Sequence, residues 1–206
     1  MSNTKEHILF TALKLILTKG YGNVTMSELV NASGLSKGAF YHYFTSKDQI
    51  YHNTLDKYFF SYLATFELTY NHEWSFKDNL FNTFNQFLQF AKEIEYLIGP
   101  ENNMISYYQT MLDASIRSED VKDKMIKFYE FYVQRIDEWI KIAQKNNEIH
   151  KSLNSWVLSK HICGLMEGTM IIYSYQSKEK DIEKYFNEIF YQFFELIKNK
   201  NLDEKK

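Results

Sequence analysis

The sequence predicts an all-α protein, with a three-helix helix-turn-helix domain at the N-terminus and a larger helical domain behind it. Helix breakers are sparse, because the 206 residues include only 7 Gly and 1 Pro. Apolar residues recur at three- and four-residue spacing along most of the chain, and no segment alternates as a half-buried strand does. We predict about nine helices in total. The predicted divisions are a helix-turn-helix domain at 1–50, a larger helical domain at 51–200 and a frayed tail at 201–206.

The first helix is predicted over residues 4–18, where one face is apolar at helical spacing. Thr25 is a candidate N-cap for the second helix, and Glu28 three residues later completes a capping box. Gly34 can adopt the left-handed conformation that ends a helix, and Ser36 then caps a third helix. The residues predicted to form the buried stripe of the first helix are Ile8, Leu9, Ala12, Leu13 and Ile16.

A fourth helix is predicted to begin after Ser46 and to run on to about Tyr62. Gln49 lies three residues after Ser46, so a second capping box is expected. Lys47 falls in the first turn, where a cation opposes the helix dipole. A nearby anion such as a phosphate would offset that cost.

Two short helices joined by a glycine turn within residues 24–43 are the helix-turn-helix signature. Over about 55 residues at the N-terminus the chain resembles the DNA-binding domain of the TetR/AcrR (tetracycline-repressor-like) family of bacterial transcription regulators. The family usually has Ile-Ala before the turn where this chain has Leu29-Val30, and both pairs are apolar, so the packing should survive. The matching elements are Ile8-Leu9 to Leu17, Lys19-Gly20-Tyr21, Val24-Thr25-Met26, Ala32 to Gly38, Phe40 to Phe44 and Ser46-Lys47-Asp48.

The third helix carries small, polar and aromatic side chains suited to a DNA groove. The resemblance implies that Tyr41 and Tyr43 touch DNA and that Thr25 and Lys47 contact phosphate. Phosphate contacts position a protein on DNA, whereas base contacts specify the sequence. We therefore assign Thr25, Tyr41 and Lys47 mainly to positioning. Base readout is assigned mainly to Lys37, Gly38, Ala39 and His42. The predicted DNA-binding residues are Thr25, Ser36, Lys37, Gly38, Ala39, Tyr41, His42, Tyr43 and Lys47.

The charge distribution gives this interpretation modest support. The net charge of −2 argues weakly against nucleic-acid binding, but residues 1–57 carry +2 and the remainder carries −4. In a dimer, two copies of this positively charged region would together attract DNA more strongly than one. The alternative is an all-helical module that binds another protein and no DNA.

The last two predicted helices, about 155–176 and 180–199, are apolar on more than one face. A soluble monomer rarely leaves such a surface exposed, so we predict a homodimer through these helices, as the TetR resemblance also implies. Packing of the extra face within one chain is the alternative. A dimer would present two recognition helices to a palindromic operator. The predicted interface residues are Ile162, Leu165, Gly168, Ile172, Phe186, Ile189, Phe190 and Phe193.

The resemblance further implies that the middle helices enclose a pocket for a small effector that releases the protein from DNA. The aromatic content of 17% suggests an apolar or aromatic effector, although each residue singly is as well explained by the core. Repression is the simpler default for such a regulator. The candidate pocket residues are Phe66, Phe84, Phe87, Tyr107, Tyr108, Met111, Phe128, Tyr132, Met166 and Tyr173.

Other classes of function find little support in the sequence. It contains no Gly-rich phosphate loop and no His-Glu-x-x-His or Cys-x-x-Cys pattern, so we expect no enzyme activity, cofactor or metal. The lone Cys163 excludes an intrachain disulfide and is interpreted as a buried thiol. No signal-peptide core or membrane-length apolar stretch is present, so a cytoplasmic location is expected.

Overall fold

The computed structural model of the protein describes residues 2–63, 68–98, 104–175 and 182–199. Within these ranges the chain is almost entirely helical, which confirms the predicted fold class. An isolated antiparallel bridge joins Ile149 to Lys198. The predicted tail at 201–206 lies outside the described residues. In chain order the helices are α1 Ser2–Lys19, α2 Met26–Ser33, α3 Lys37–Tyr43, α4 Lys47–Leu55, α5 Phe76–Ile98, α6 Met104–Arg117, α7 Glu119–Lys145, α8 Ser155–Tyr175 and α9 Ile182–Ile197.

Helix α4 differs from the uninterrupted helix that we predicted. It passes into one π-helical turn, Asp56–Phe60, and then into a last helical turn, Ser61–Leu63. The Ser61 amide donates to the Asp56 carbonyl, five residues back instead of four. The apolar spacing before and after this turn also fits an ordinary helix, so the sequence pattern could not reveal the extra residue.

The first of two compact units comprises Met1–Glu67 and Ile94–Arg117. The predicted stripe of α1 is confirmed as core, since its five residues are at most 4% exposed. Leu29 of α2, Phe40 of α3 and Ile50 of α4 are also buried. This unit therefore contains the helix-turn-helix together with α6, whereas the predicted functional boundary lies near residue 50.

The second compact unit comprises Leu68–Glu93 and Ser118–Lys206. Helices α7 and α8 pack antiparallel, because Tyr129 contacts Glu167 while Tyr132 contacts Met166. The turn before α5 is held by the buried side chain of Asn79, whose oxygen accepts from an amide and whose nitrogen donates to carbonyls within residues 71–75. Among the described helices, none combines the length and the apolar character that a bilayer crossing requires.

Candidate DNA-binding surface

The N-terminus of α2 is fixed by the predicted capping box, which is confirmed. The Thr25 hydroxyl accepts from the Glu28 amide at 3.2 Å, and the Glu28 carboxylate accepts from the Thr25 amide at 2.9 Å. Lys19 lies 2.8 Å from that carboxylate. The Lys19 ammonium and the Thr25 donors lower the pKa of Glu28 to about 2. Thr25 stays exposed at the surface and holds the first turn of α2 in place.

The turn between α2 and α3 depends on Gly34. Its φ of 66° lies in the left-handed region, where a side chain is unfavourable. Its amide donates to the Asn31 carbonyl at 3.2 Å, so this carbonyl in the last turn of α2 has a hydrogen-bond partner. The His7 ring of α1 also reaches this end, with Nε2 lying 2.9 Å from the Ser33 carbonyl. Because a carbonyl only accepts, this nitrogen carries the proton.

Helix α3 presents a polar face above an aromatic anchor. Ser36 caps the helix by accepting from the Ala39 amide at 3.3 Å. Phe40 and Phe44 are 0% and 1% exposed, so they pin the helix to the core. A Cβ added at Gly38 would meet nothing within 4 Å, which leaves the backbone open to approach. The predicted contact residues of α3 that are exposed are Lys37, Gly38, Ala39, Tyr41 and His42, and Tyr43 is half-buried.

The start of α4 differs in detail from the prediction. Ser46 caps the helix by accepting from the Gln49 amide at 3.1 Å. The Gln49 side chain, however, accepts from the Thr45 amide at 3.0 Å and so reaches one residue further back than a capping box does. The amides of Gln49 and Thr45 therefore both have a side-chain acceptor.

Lys47 is held by the protein itself. Its ammonium donates to the carbonyls of Tyr21 and Val24 at 3.1 and 2.9 Å and lies 4.3 Å from the centre of the Tyr21 ring. These carbonyls offset the unfavourable helix dipole without any phosphate. Two of its three N–H groups are thus used to tie α4 to the connector between α1 and α2.

Tyr21, for which the sequence predicted no separate role, joins α4 to the connector between α1 and α2. Its hydroxyl donates to the Asp48 carboxylate, and its ring stacks on Tyr51 with centroids 4.1 Å apart. The Arg117 guanidinium at the end of α6 lies 5.5 Å from the same ring. Burial, followed by Asp48, raises the pKa of the Tyr21 hydroxyl to about 12. The Lys19-Gly20-Tyr21 motif was a signal for this position, whereas nothing in the sequence pointed to Arg117.

The predicted dimer residues divide into buried and accessible groups. Ile162, Phe186 and Phe190 are at most 1% exposed within the subunit, so they belong to its core. The Phe190 ring, for example, stacks on Phe84 of α5 with ring centroids 3.3 Å apart. Their apolar character therefore reflects packing within one chain, which was the alternative. Of the remaining predicted residues, Ile172 is 53% exposed, and Leu165, Gly168, Ile189 and Phe193 are partly exposed.

The candidate effector residues fall into both compact units. In the second unit Tyr132 donates to the Met166 sulfur at 2.9 Å, and its ring lies 6.1 Å from that of Phe128. Phe84 and Phe87 are buried in the same unit. In the first unit the rings of Tyr107 and Tyr108 are 6.1 Å apart, and Met111 is buried. Phe66 and the side chain of Tyr173 lie outside the described part of the structure.

An open groove of about 630 Å³ lies between α5 and α9 in the second unit. It contains none of the ten candidate effector residues. The Lys77 ammonium lies within 5.8 Å of the centres of three rings here, those of Phe81, Tyr191 and Phe194. The groove is lined by Lys77, Phe81, Glu183, Lys184, Asn187, Glu188 and Tyr191.

Cys163 is buried beside Tyr132 and Glu167. Burial, followed by the Glu167 carboxylate, raises the pKa of its thiol to about 12. A thiol of this kind is a poor nucleophile at neutral pH. Among the described residues, no three histidine, cysteine or acidic side chains are grouped as a metal site.

Comparison with known proteins places the helix-turn-helix in a family. Residues 8–54 match the family described as "Bacterial regulatory proteins, tetR family". The transcriptional repressor NemR of Escherichia coli K12 is 34% identical over 92 residues, which are 42% of this chain and 46% of NemR. The chain thus matches somewhat less than half of NemR's length.

Solved structures extend the likeness along the chain. A regulator from Saccharomonospora viridis, solved in complex with choline, has a TM-score of 0.69 at 19% identity and covers 96% of this chain and 99% of its own. A TetR/AcrR family member has a TM-score of 0.59 at 25% identity, covering 84% and 88% of the two chains. The helix-turn-helix at residues 8–54 thus matches the TetR family, and the chain shares the fold of these solved regulators over nearly its whole length.

Proposed function

We propose that the protein is a sequence-specific transcriptional repressor that binds a palindromic operator as a homodimer and is released by a small effector. The observation that carries this proposal is the exposed polar face of α3 above the buried Phe40 and Phe44. Because Phe40 and Phe44 anchor the helix to the core and Gly38 is open, the polar face is available to enter a major groove.

The predicted DNA-contact residues have different proposed roles. Lys37 and His42 read base edges, and Gly38 and Ala39 allow the helix to lie deep in the groove. Thr25 and Tyr41 position the protein on the phosphates, together with the half-buried Tyr43. We assign Lys47 to positioning too, but mainly through the two carbonyls that it holds.

A homodimer is supported by an apolar stripe on the outer face of α8. Val157, Ile171, Ile172 and Tyr175 are 41–75% exposed, although they are large and apolar. Gly164 and Gly168 lie on the same face, and a Cβ at either would meet nothing within 4 Å. A second helix could therefore approach α8 closely along this line. Leu196 of α9, which is 78% exposed, and the partly exposed Ile189 extend the proposed interface.

The effector is proposed to be a small apolar or aromatic molecule that binds among the aromatic side chains of the middle helices. The buried Tyr132 and the partly exposed Phe128, both in the second unit, are the best candidates for contacting it. The choline-bound structure supports only the idea that proteins of this fold bind small molecules. A coupling of about 1–3 kcal/mol between the two sites would reduce DNA affinity roughly 5- to 150-fold.

Selection of bound DNA from a random pool would test the proposal, with affinity for the selected sequence then measured against salt concentration. We expect an inverted-repeat site whose half-sites are about 34 Å apart, or a multiple of that distance. The logarithm of affinity should fall linearly with the logarithm of salt, by about 0.9 per phosphate contacted. If no sequence is enriched and salt has no effect, the protein-interaction alternative would replace this proposal.

A further inference from the structure

The groove between α5 and α9 has the size of a ligand site and lies apart from the proposed effector residues. It is formed within the second unit by the first turns of α5 and by α9 from Glu183 to Tyr191. These eight residues of helix rise about 12 Å, which is enough for an elongated small molecule. The volume of about 630 Å³ falls in the usual range of small-molecule sites.

Lys77 is the unusual residue of this groove. Its ammonium lies 4.7 Å from the centre of the Tyr191 ring, and 5.6 and 5.8 Å from the centres of the Phe81 and Phe194 rings. No oxygen or nitrogen acceptor pairs with it among the described residues. Aromatic faces attract the charge but leave its three N–H groups without an acceptor. Lys77 is also half-buried, so water reaches it only in part.

The charges around the groove favour an anion beside Lys77. Glu183 lies 3.4 Å from Lys92, so a lysine already balances that carboxylate. Glu188 is exposed and therefore well hydrated, and Lys184 adds a second cation to the lining. A cationic ligand would have to displace Lys77 from the three rings or face its charge at short range. A carboxylate, by contrast, supplies the acceptor that this ammonium lacks.

We propose that the groove binds a small carboxylic acid with an aromatic or alkyl body, in its ionised form. The carboxylate pairs with the Lys77 ammonium and accepts a second hydrogen bond from the Asn187 amide. Asn187 lies one turn before Tyr191 on the same face of α9, so both side chains face the groove. The apolar body of the ligand lies against Phe81 and Tyr191, of which Tyr191 is 51% exposed.

The groove remains accessible in the proposed dimer. Two residues of an α-helix are rotated by about 200° from each other, so Tyr191 lies roughly opposite Ile189 on α9. Ile189 and Leu196 belong to the proposed dimer interface, and the groove therefore opens on the side of α9 away from the partner. Neither the ligand nor its site depends on binding to DNA.

Titration of the full chain with phenylbutyrate tests the proposal. Nuclear magnetic resonance of the isotope-labelled protein should show a saturable shift of the Asn187 side-chain amide. Phenylbutyramide has the same shape without the charge, and phenylbutylamine carries the opposite charge. We expect phenylbutyrate to bind the groove roughly tenfold more tightly than either, because a charged hydrogen bond is lost in both. Equal affinity for the amide, or a higher affinity for the amine, would overturn the proposal.

Variants of Lys77 show whether its charge is responsible. Lys77→Met keeps the apolar stem on the rings and should weaken phenylbutyrate binding roughly tenfold while leaving phenylbutyramide binding unchanged. Lys77→Arg keeps the charge and the ring contacts and should retain binding. The matched control is Lys14→Met, because the Lys14 ammonium lies 4.6 Å from the centre of the Phe10 ring in the first unit. It should bind phenylbutyrate as the unmodified chain does.

The remaining outcomes also decide the matter. Unchanged phenylbutyrate affinity in Lys77→Met would overturn the proposal. If that variant does not fold, the three ligands compared on the unmodified chain provide the test. A phenylbutyrate shift at Tyr132 without one at Asn187 would place the ligand at the proposed effector site and overturn the groove. No DNA is present in these titrations, so a failure to select an operator would refute the proposed function alone.

Discussion

The ammonium of Lys47 and the carbonyl of Val24 lie 2.9 Å apart, and this bond ties the start of α4 to the connector that precedes α2. The position of Lys47 in the first turn of a helix predicted a phosphate contact, because an anionic partner offsets the cost of a cation there. The partner in the structure is a pair of backbone carbonyls. Lys47 therefore positions the helix-turn-helix from within.

Replacing Lys47 by Met should separate these two roles, since Met keeps the apolar stem without the charge. We expect a lower melting temperature and weaker binding to every operator, because two carbonyls lose their donor. The slope of log affinity against log salt should change little. A slope reduced by about one, with an unchanged melting temperature, would instead identify Lys47 as a phosphate contact.

Lys37→Ala tests base readout at the start of α3. Its ammonium is exposed, and no carboxylate pairs with it among the described residues. We expect weaker operator binding and a loss of preference at one base pair of each half-site, worth about 1–3 kcal/mol. Lys145→Ala, an exposed lysine in the second unit, is the control and should leave both unchanged. A uniform loss across all DNA sequences would place Lys37 on phosphate.

Gly168→Leu tests the proposed dimer without disturbing the subunit. A new Cβ would meet nothing within 4 Å there, and leucine favours helix more than glycine by up to about 1 kcal/mol. The variant should thus fold but elute from a size-exclusion column with the mass of a monomer, as measured by light scattering. Asn85→Leu on the exposed side of α5 provides the control and should remain dimeric. A dimeric Gly168→Leu protein would argue against close approach of α8 helices.

Gly34→Ala tests the backbone of the turn. At a φ of 66° a Cβ costs about 1–2 kcal/mol, so the melting temperature and DNA affinity should both fall. Gly34→Asn should lower the melting temperature and the DNA affinity less, because Asn tolerates the left-handed region. Gly22→Ala is a matched control, since its φ is not positive and its nearest neighbour would lie 3.8 Å away. Equal stability of Gly34→Ala and Gly22→Ala would contradict the role of this turn.

Cys163 should react slowly with thiol reagents in the folded protein. Its pKa is raised to about 12, so the thiolate is scarce below that pH, and its burial also blocks access. The rate of disulfide exchange with a coloured aromatic disulfide at pH 8 should rise steeply once urea unfolds the chain. Fast reaction of the native protein would instead support a redox role.

Local signals explain why much of the site was predictable. Thr25 and Glu28 form their capping box, Gly34 takes the left-handed turn, and Phe40 is buried as its spacing indicates. Each of these features depends on residues within one or two turns of each other. Hydrogen bonds over three residues and the periodicity of one helix are encoded locally.

Contacts between distant segments were not predictable in the same way. Phe190 looked suited to a dimer interface, yet Phe84 covers it. Apolar periodicity indicates that a face is buried but does not say by what. Arg117 approaches Tyr21 across almost one hundred positions, and no local pattern indicates such a pairing.

Most of the helices, the capping box of α2 and the exposed polar face of α3 could be predicted from the sequence, because they follow from local hydrogen bonding and periodicity. The folded chain was needed to show that Lys47 turns inward to two carbonyls and that α4 contains a π-turn. The physical reason is that both depend on which groups approach from elsewhere in the chain. A lysine near a helix start needs an anion or a carbonyl, and only the fold decides which one it meets.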